Sequence, residues 1–592
     1  MKRLALGAML LVATAATLFA GAFAPGDADG QPLATVSVQL LSFNDYHGNL
    51  EPPAGSSGRI GTTDAGGIEY FATHLANLKA TNPNTLIVGA GDMIGASPLT
   101  SALFHDEPSI ESLNLAGLQV TAVGNHEFDE GSAELLRMQN GGCHPTDKCQ
   151  DGTPFEGADF EFLSANVFLN QTKDAKITAA SNTAKTEQPG KPDAAPKTAK
   201  EAPLLPAYTI KTVGGVKIGF IGMTLEGTPT IVTPTAVAGL NFYPEAYMAN
   251  YWAQNLRKQG VKTIVVLLHE GGFQTGGSDI NGCAGIAGPI VGITNLMSND
   301  IDVVVSGHTH NAYNCMIGSK LVTSAASFGR LITDIDLEID TTTGDVVTKR
   351  ATNRIVTRTV PKHAGETALL QRYQALAAPL ANRVIGRVTA DITRTANRAG
   401  ESALGDVIAD AQLAATKPAN KGGAVVAFMN PGGIRADFTF NQQSGGEQPG
   451  QVTFSEAFTV QPFGNTLVVK TMTGQMIKDL LEQQFDNPST GADRVLQVST
   501  GFTYTYRRSN PKGSRVDAAS IRINGTAIGL ATQYRVSMNS FLADGGDNFS
   551  AFRQGTNTLG GEVDTDAIVS YFAANNGAPI GPGQQSRIVR AD

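Results

Sequence analysis

The chain has 592 residues, 41% of them hydrophobic and 16% charged, and carries a formal net charge of −9. A single hydrophobic core stops growing at about 250 to 300 residues, so two domains are expected. The acidic balance excludes general binding to nucleic acid polymers or anionic membranes, because both need clustered Lys and Arg; an anionic small molecule would have to be drawn by local charge.

In chain order, Lys2 and Arg3 lead into an apolar stretch over residues 4–19, followed by the small residues Ala20, Gly21, Ala22 and Ala24. Residues 1–24 therefore read as a secretory signal peptide, cut after Ala22 in preference to Ala24, which would leave Pro25 first. The run is short and Gly/Ala-rich for a membrane span. A periplasmic or secreted protein without stable membrane insertion is expected.

Five apolar, strand-like runs follow, over residues 36–43, 85–88, 119–123, 261–268 and 301–306, rich in Val, Ile and Leu as buried parallel strands are. Each ends in a polar cluster: Asp45-Tyr46-His47, Gly91-Asp92, Gly124-Asn125-His126-Glu127, His269-Glu270 and Gly307-His308-Thr309-His310. Taken singly, an Asp after a strand is a turn or cap residue and a His is a surface residue. Five of the nine histidines fall in these clusters, however, and His74, His105, His144 and His363 are left as non-ligands. Open α/β sheets bind ligands outside the carboxyl ends of their strands, and Asp, His and Asn meeting at one such edge supply oxygen and nitrogen donors for two divalent transition metals.

Four cysteines, an even count in an exported chain, favour disulfides. The close pair Cys143 and Cys149 leaves Cys283 with Cys315; a zinc site of Cys143, His144 and Cys149 has no fourth ligand nearby. Residues 171–204, rich in Lys, Ala, Thr and Pro, read as a disordered insertion. Residues 362–385 carry Leu369, Leu370, Tyr373, Leu376 and Leu380 at helical spacing and predict a connecting helix that Pro379 kinks or ends.

Beyond it come Arg394 and Arg398, Asn430 and Arg435 around a Gly-Gly turn, Phe463-Gly464-Asn465, and Phe541 followed by Gly545-Gly546-Asp547. A guanidinium can hold phosphate oxygens bidentately, and Phe463 and Phe541 in Gly/Asn-rich loops could stack a planar base, although core packing is the commoner fate of Phe.

The D-x-H, G-D, G-N-H-E and G-H-T-H series resembles the calcineurin-like metallophosphoesterases, and with the C-terminal motifs it is similar to the bacterial secreted 5′-nucleotidases over about residues 36 to 585. The resemblance implies an α/β chain: a four-layer α/β/β/α metallophosphoesterase domain (35–350), a linker helix (362–385) and a smaller α/β substrate-binding domain (386–588). It implies one metal site of Asp45, His47 and His310 and another of Asn125, His269 and His308, bridged by Asp92. Zn, Mn, Co and Fe all suit these donors.

His126 would serve as catalytic group beside Asn125, with Asp129 orienting it and Glu127 structural. Arg394, Arg398, Asn430, Arg435, Asn465 and Asp547 would line the nucleoside and phosphate site, and the two Phe rings would clamp the base. The implied activity is hydrolysis of nucleoside 5′-monophosphates, extending to di- and triphosphates or UDP-sugars, by a monomer. Alternatives are a 2′,3′-cyclic-nucleotide phosphodiesterase with 3′-nucleotidase activity, a sulfur-oxidation thiohydrolase, and a non-catalytic nucleotide-binding surface protein. The two halves must close on a nucleotide; an open form would hold Phe463 and Phe541 far from Asp92.

Overall fold

The structure is a computed structural model that describes residues 34–592 apart from 54, 171–202, 234–235 and 444. The expected leader (1–24) and residues 171–202 of the expected insertion lie outside the described residues. The chain first lays down β1 (Thr35–Phe43), β2 (Thr85–Ala90), β3 (Val120–Ala122) and β4 (Glu161–Leu163) as parallel neighbours in one sheet. It then builds a second sheet from β5 (Tyr208–Val213), β6 (Val216–Thr224), β7 (Thr263–His269), β8 (Val303–Ser306), β9 (Ala312–Ile317) and β10 (Lys320–Ala325). Finally β11 (Leu331–Asp340) and β12 (Val346–Ile355) return to the first, β11 antiparallel to β1 and β12 antiparallel to β11.

The first sheet runs β12-β11-β1-β2-β3-β4 and the second β9-β10-β8-β7-β6-β5. The five motif-bearing strands thus divide three and two between stacked sheets, where the motifs alone suggest a single edge. Alternation of side chains explains both the stacking and the unbroken apolar runs. Leu41, Phe43 and Ile87 face the helices α1 (Ile68–Lys79) and α2 (Glu107–Ala116), whereas Val38, Leu40, Leu86 and Val88 face the other sheet. In the second sheet Val265 and Leu267 point inward, and Ile264, Val266 and Leu268 meet α3 (Glu245–Lys258) and α4 (Pro289–Leu296). The result is a four-layer α/β/β/α arrangement with three apolar interfaces, and it brings both carboxyl edges to one end.

The helix expected over 362–385 forms as α5 (Ala364–Ala381), and Pro379 falls in its last turn, where the helix is ending anyway. The face of α5 toward the first half is tied down at several points. Thr367 Oγ1 donates to Glu69 Oε1 at 2.5 Å, Lys362 Nζ sits 2.6 Å from Glu69 Oε2, and Tyr373 packs with Leu99 and Phe104. Glu366 is fully buried in this seam, with the Ser112 hydroxyl beside it and Glu69 nearby.

Burial pushes its carboxyl up to about 8, and the charge of Glu69 adds to the rise. The folded-state pKa lies above that of the unfolded chain, so this contribution is full at acid pH and is lost as pH rises through about 8. Glu366→Gln is expected to flatten the fall of the unfolding temperature as pH rises from the ordinary carboxylate range, near 4.5, to about 8. An unchanged slope in the variant would assign the fall to other groups.

The second half centres on a mixed five-stranded sheet. Its strands are β13 (Val426–Met429), β14 (Thr466–Thr473), β15 (Gln497–Val498), β16 (Gln533–Asn539) and β17 (Thr556–Val563), in the order β15-β13-β16-β14-β17. Helices α6 (Ala403–Thr416), α7 (Gly474–Glu482) and α8 (Asp564–Ala574) pack around it. Both expected disulfides, Cys143–Cys149 and Cys283–Cys315, are formed. Among the described residues no helix is long and apolar enough to cross a membrane.

Candidate active site

Each strand end turns sharply to present its polar residue. Asp45, His47, Asp92, His308 and His310 all have left-handed backbone, with φ between 50° and 69°. Non-glycine residues avoid this region, and clusters of them mark functional sites where the surrounding fold supports the strain. The loops also interlock: Asp45 N–H donates to Gly91 O and His47 N–H to Asp92 O. Glycine is required at 91 and 124, since a Cβ on Gly91 would lie 2.7 Å from His269 Nδ1, and one on Gly124 would collide with the Asp92 carboxylate.

The candidate ligands converge in a buried knot; Asp45, His47 and His269 are fully buried, and Asp92 and Asn125 nearly so. His310 Nε2 is 3.2 Å from Asp45 Oδ1 and 3.1 Å from His47 Nε2. His269 Nε2 is 2.9 Å from Asp92 Oδ2, and His47 Nε2 is 3.5 Å from the same oxygen. Asp92 therefore stands between the two expected ligand sets.

The hydrogen bonds on the far side of the rings test whether cations fit here. His47 Nδ1 donates to Gly95 O at 2.8 Å and His269 Nδ1 to Ala90 O at 2.7 Å. A carbonyl only accepts, so each Nδ1 carries a proton and each Nε2 points into the knot. Those nitrogens face carboxylate oxygens and another imidazole nitrogen, and Asp92 and Asp45 raise His269 to about 10 against burial, so positive charge is favoured at this point and divalent cations can supply it. Asn125 Oδ1 is likewise buried without a hydrogen-bond partner. Burial, with the charge of His269, holds His308 down at about 3, and burial lowers His310, so both are neutral donors. The donor set fits two divalent transition-metal ions.

Glu127 takes the structural part expected of it. Its carboxylate accepts the N–H groups of Asp92 at 3.0 Å, Met93 at 2.7 Å and Gly124 at 2.5 Å, and so frames two ligand loops. His126 stands at the rim, its Nδ1 2.7 Å from Asp129 Oδ2 and its backbone N–H on Asp92 Oδ1 at 2.9 Å.

The second half closes over this knot. The Phe463 ring stacks on His126, centroids 5.6 Å apart at 22°, and the Arg435 guanidinium lies 5.7 Å from the same ring. A cavity of about 190 Å³ is lined from one side by Asn125, His126, Asp129 and His308, and from the other by Asn430, Arg435, Phe463, Asn465, Phe541 and Asp547. The halves are thus together, and the split site of an open form is not the one seen here. Asn430 Nδ2 donates to Asp547 Oδ2 at 2.9 Å, and Asn465 Oδ1 accepts from Ser540 at 3.1 Å. Phe541 lies on Gly546 and also packs against the C-terminal core.

The two N-terminal arginines of this half do not line the cavity. Arg394 Nη1 donates to Ile434 O at 3.2 Å, next to Arg435, while Arg398 donates to the Asp592 carbonyl. Conversely, Arg494, Asn539 and residues 231–233 line it without having been singled out in the sequence. Arg494 Nη1 is 3.0 Å from Asp547 Oδ1, and Asn539 Nδ2 donates to Asn430 Oδ1 at 3.0 Å. Asn539 stands two residues before Phe541, where a loop-motif search could have reached it; nothing around Arg494 marks it.

Residues 39–312 match the calcineurin-like phosphoesterase family, and residues 384–554 match the 5′-nucleotidase C-terminal domain. The chain is 33% identical to the cell wall protein Lmo0130 of Listeria monocytogenes, over 94% of this chain and 68% of that protein. It is 31% identical to the endonuclease YhcR of Bacillus subtilis over 95% of its own length but spans only 41% of that protein. The crystal structure of a 5′-nucleotidase precursor from Thermus thermophilus superposes with a TM-score of 0.70 at 25% identity, over 94% of this chain and all of that one.

Proposed function

The chain belongs to the calcineurin-like phosphoesterases that carry a 5′-nucleotidase C-terminal domain, and from that premise we propose that it hydrolyses nucleoside 5′-monophosphates to nucleoside and phosphate outside the cytoplasm. The observation that supports this reading is a cavity with Asn125 and His308 of the knot, beside His126, at one end and Phe463, Phe541 and Asp547 at the other. A phosphate at the knot and a base between the rings is the layout of a nucleotide.

Asp45, His47 and His310 would hold one ion, Asn125, His269 and His308 the other, with Asp92 shared. When bound, such a pair supplies Lewis acidity at the phosphoryl oxygens and an acidified water for in-line attack. Arg435 neutralises the remaining phosphate charge from above. Asp547 is held by Arg494 and Asn430 and keeps lone pairs for ribose hydroxyls. His126, fixed by Asp129, gives its proton to the departing ribose oxygen. Arg398, engaged with the C-terminal residue, has no part in this scheme.

Phosphate release from 5′-, 3′- and 2′,3′-cyclic nucleotides and a UDP-sugar, with and without chelator, tests the proposal; preference for a 3′- or cyclic substrate would reassign it. The rings give a sharper check. Phe463 belongs to no apolar cluster, so Phe463→Ala is expected to weaken nucleotide binding by roughly 1 to 3 kcal/mol while hydrolysis of p-nitrophenyl phosphate persists. Phe541→Ala should add some loss of stability through its core contact. Equal loss on both substrates in the Phe463 variant would remove that ring from base recognition.

A further inference from the structure

Behind the knot lies a carboxylate that no step of the proposed hydrolysis uses. Asp106 immediately precedes α2, is buried, and has a left-handed backbone at φ 61°. An Asp in front of a helix ordinarily turns its side chain onto the free N–H groups of the first turn. The Asp106 side chain makes no such bond. Its Oδ2 instead accepts the Gly95 N–H at 2.9 Å and its Oδ1 the Ser101 hydroxyl at 2.6 Å, with Ser109 Oγ 2.6 Å behind that hydroxyl. His105 beside it is left-handed too, at φ 51°, and is engaged elsewhere, its ring nitrogens 2.9 Å from Glu130 Oε2 and Asp147 Oδ2. Two consecutive non-glycine residues in this region make a strained turn, and here the strain diverts a capping carboxylate toward the active-site loop.

Gly95 is where that hold reaches the chemistry. Its carbonyl accepts the His47 Nδ1 proton at 2.8 Å, the bond that fixes the ring and aims Nε2 into the knot. On its other side the same residue is packed against the proton-donor pair: a Cβ added at Gly95 would lie 2.6 Å from His126 O and 3.0 Å from Asp129 Oδ2. Ala96 follows at φ 48°, left-handed without a glycine's freedom, so the turn is strained and needs an anchor. His269 offers the contrast. Its Nδ1 bonds to Ala90 O, which belongs to β2 and is held by the sheet, whereas the acceptor of His47 lies in a loop.

We propose that Asp106 is a positioning residue for the candidate ligand His47: by holding Gly95 in place it sets the orientation of the ring, and so the affinity for the ion that Asp45, His47 and His310 would bind. The inference rests on the two-ion reading of the knot. Groups that orient a ligating imidazole from behind are worth about 10- to 100-fold in metal affinity. The effect is expected at one ion only, because the acceptor behind His269 is fixed by β2 and owes nothing to Asp106.

Titration with Zn²⁺ against a competing chelator, on the full chain and on Asp106→Gly and Asp106→Asn, tests the assignment. Glycine suits φ 61° better than Asp does, and the backbone bonds of residue 106, to Ser101 O and from the Ser109 N–H, survive either substitution. Asp106→Gly is therefore expected to fold, to bind one of two ions about 10- to 100-fold more weakly with the other unchanged, and to recover hydrolysis of p-nitrophenyl phosphate as Zn²⁺ is raised. Asp106→Asn, whose amide oxygen can still accept the Gly95 N–H, should fall between parent and glycine variant. A purely structural tie would lower the unfolding temperature and leave both affinities at the parent's values, and that result would overturn the proposal. Equal weakening of both ions would overturn it too, since the effect would not pass through His47. A parent that binds no zinc would remove the two-ion reading and Asp106's role with it, whereas two ions held equally by all three proteins would remove the role alone.

Discussion

Asp92→Ala is expected to abolish phosphate release from nucleotide and baseless phosphoester alike, a loss on the order of 10³-fold or more, and to lower bound metal. Three observations converge on this residue. Its Oδ2 is the oxygen nearest His269 Nε2 and also faces His47 Nε2, so it is the carboxylate common to both ligand sets. Its Oδ1 accepts the His126 N–H, and its own N–H is held by Glu127, so the side chain has one orientation. It is buried, which leaves no solvent to replace its charge. Asp92→Asn separates charge from shape, since the amide keeps an oxygen donor but not the negative charge between the imidazoles. Metal analysis and hydrolysis of p-nitrophenyl phosphate check both variants. Retention of the parent's metal content and rate by Asp92→Ala would remove the residue from the centre of the site.

The strand ends were readable in the sequence because strands buried on both faces are unbroken apolar runs, and each run stops at the residue that turns into the knot. The same property hides the division into two sheets from the residue pattern itself, so that only the family resemblance carried the four-layer arrangement. Leu40 and Leu41 face different layers, yet an unbroken run has no period from which to read them. Asp45, Asp92 and His310 could be grouped because each stands in a short motif with a glycine near it. Arg494 could not, because its partner Asp547 is distant in sequence and nothing beside it repeats. Phe541 was posed as either clamp or core; its ring packs against the C-terminal cluster and also lines the cavity.

His126→Ala is expected to keep the parent's metal content and lose on the order of 10² to 10⁴ in rate. The residue stands close enough to His47 and Asp92 to be counted as a third ligand, so the two roles have to be separated by geometry. The candidate ligands His47 and His269 anchor one nitrogen on a backbone carbonyl and turn the other into the knot. His126 instead anchors Nδ1 on the Asp129 carboxylate and stacks its ring on Phe463 of the C-terminal half. Burial opposes its protonation, but Asp129 and Asp92 together outweigh burial and raise its pKa above the ordinary imidazole value. That is the setting of a proton donor to a leaving oxygen. Asp129→Asn should reproduce part of the loss by removing the charge that keeps the imidazole protonated. A substrate with a more acidic leaving group, such as p-nitrophenyl phosphate, should suffer less than a nucleotide in both variants, because its leaving oxygen needs no proton. If His126→Ala loses metal stoichiometrically and slows both substrates equally, His126 belongs among the ligands, and the proton for the departing nucleoside must come from elsewhere.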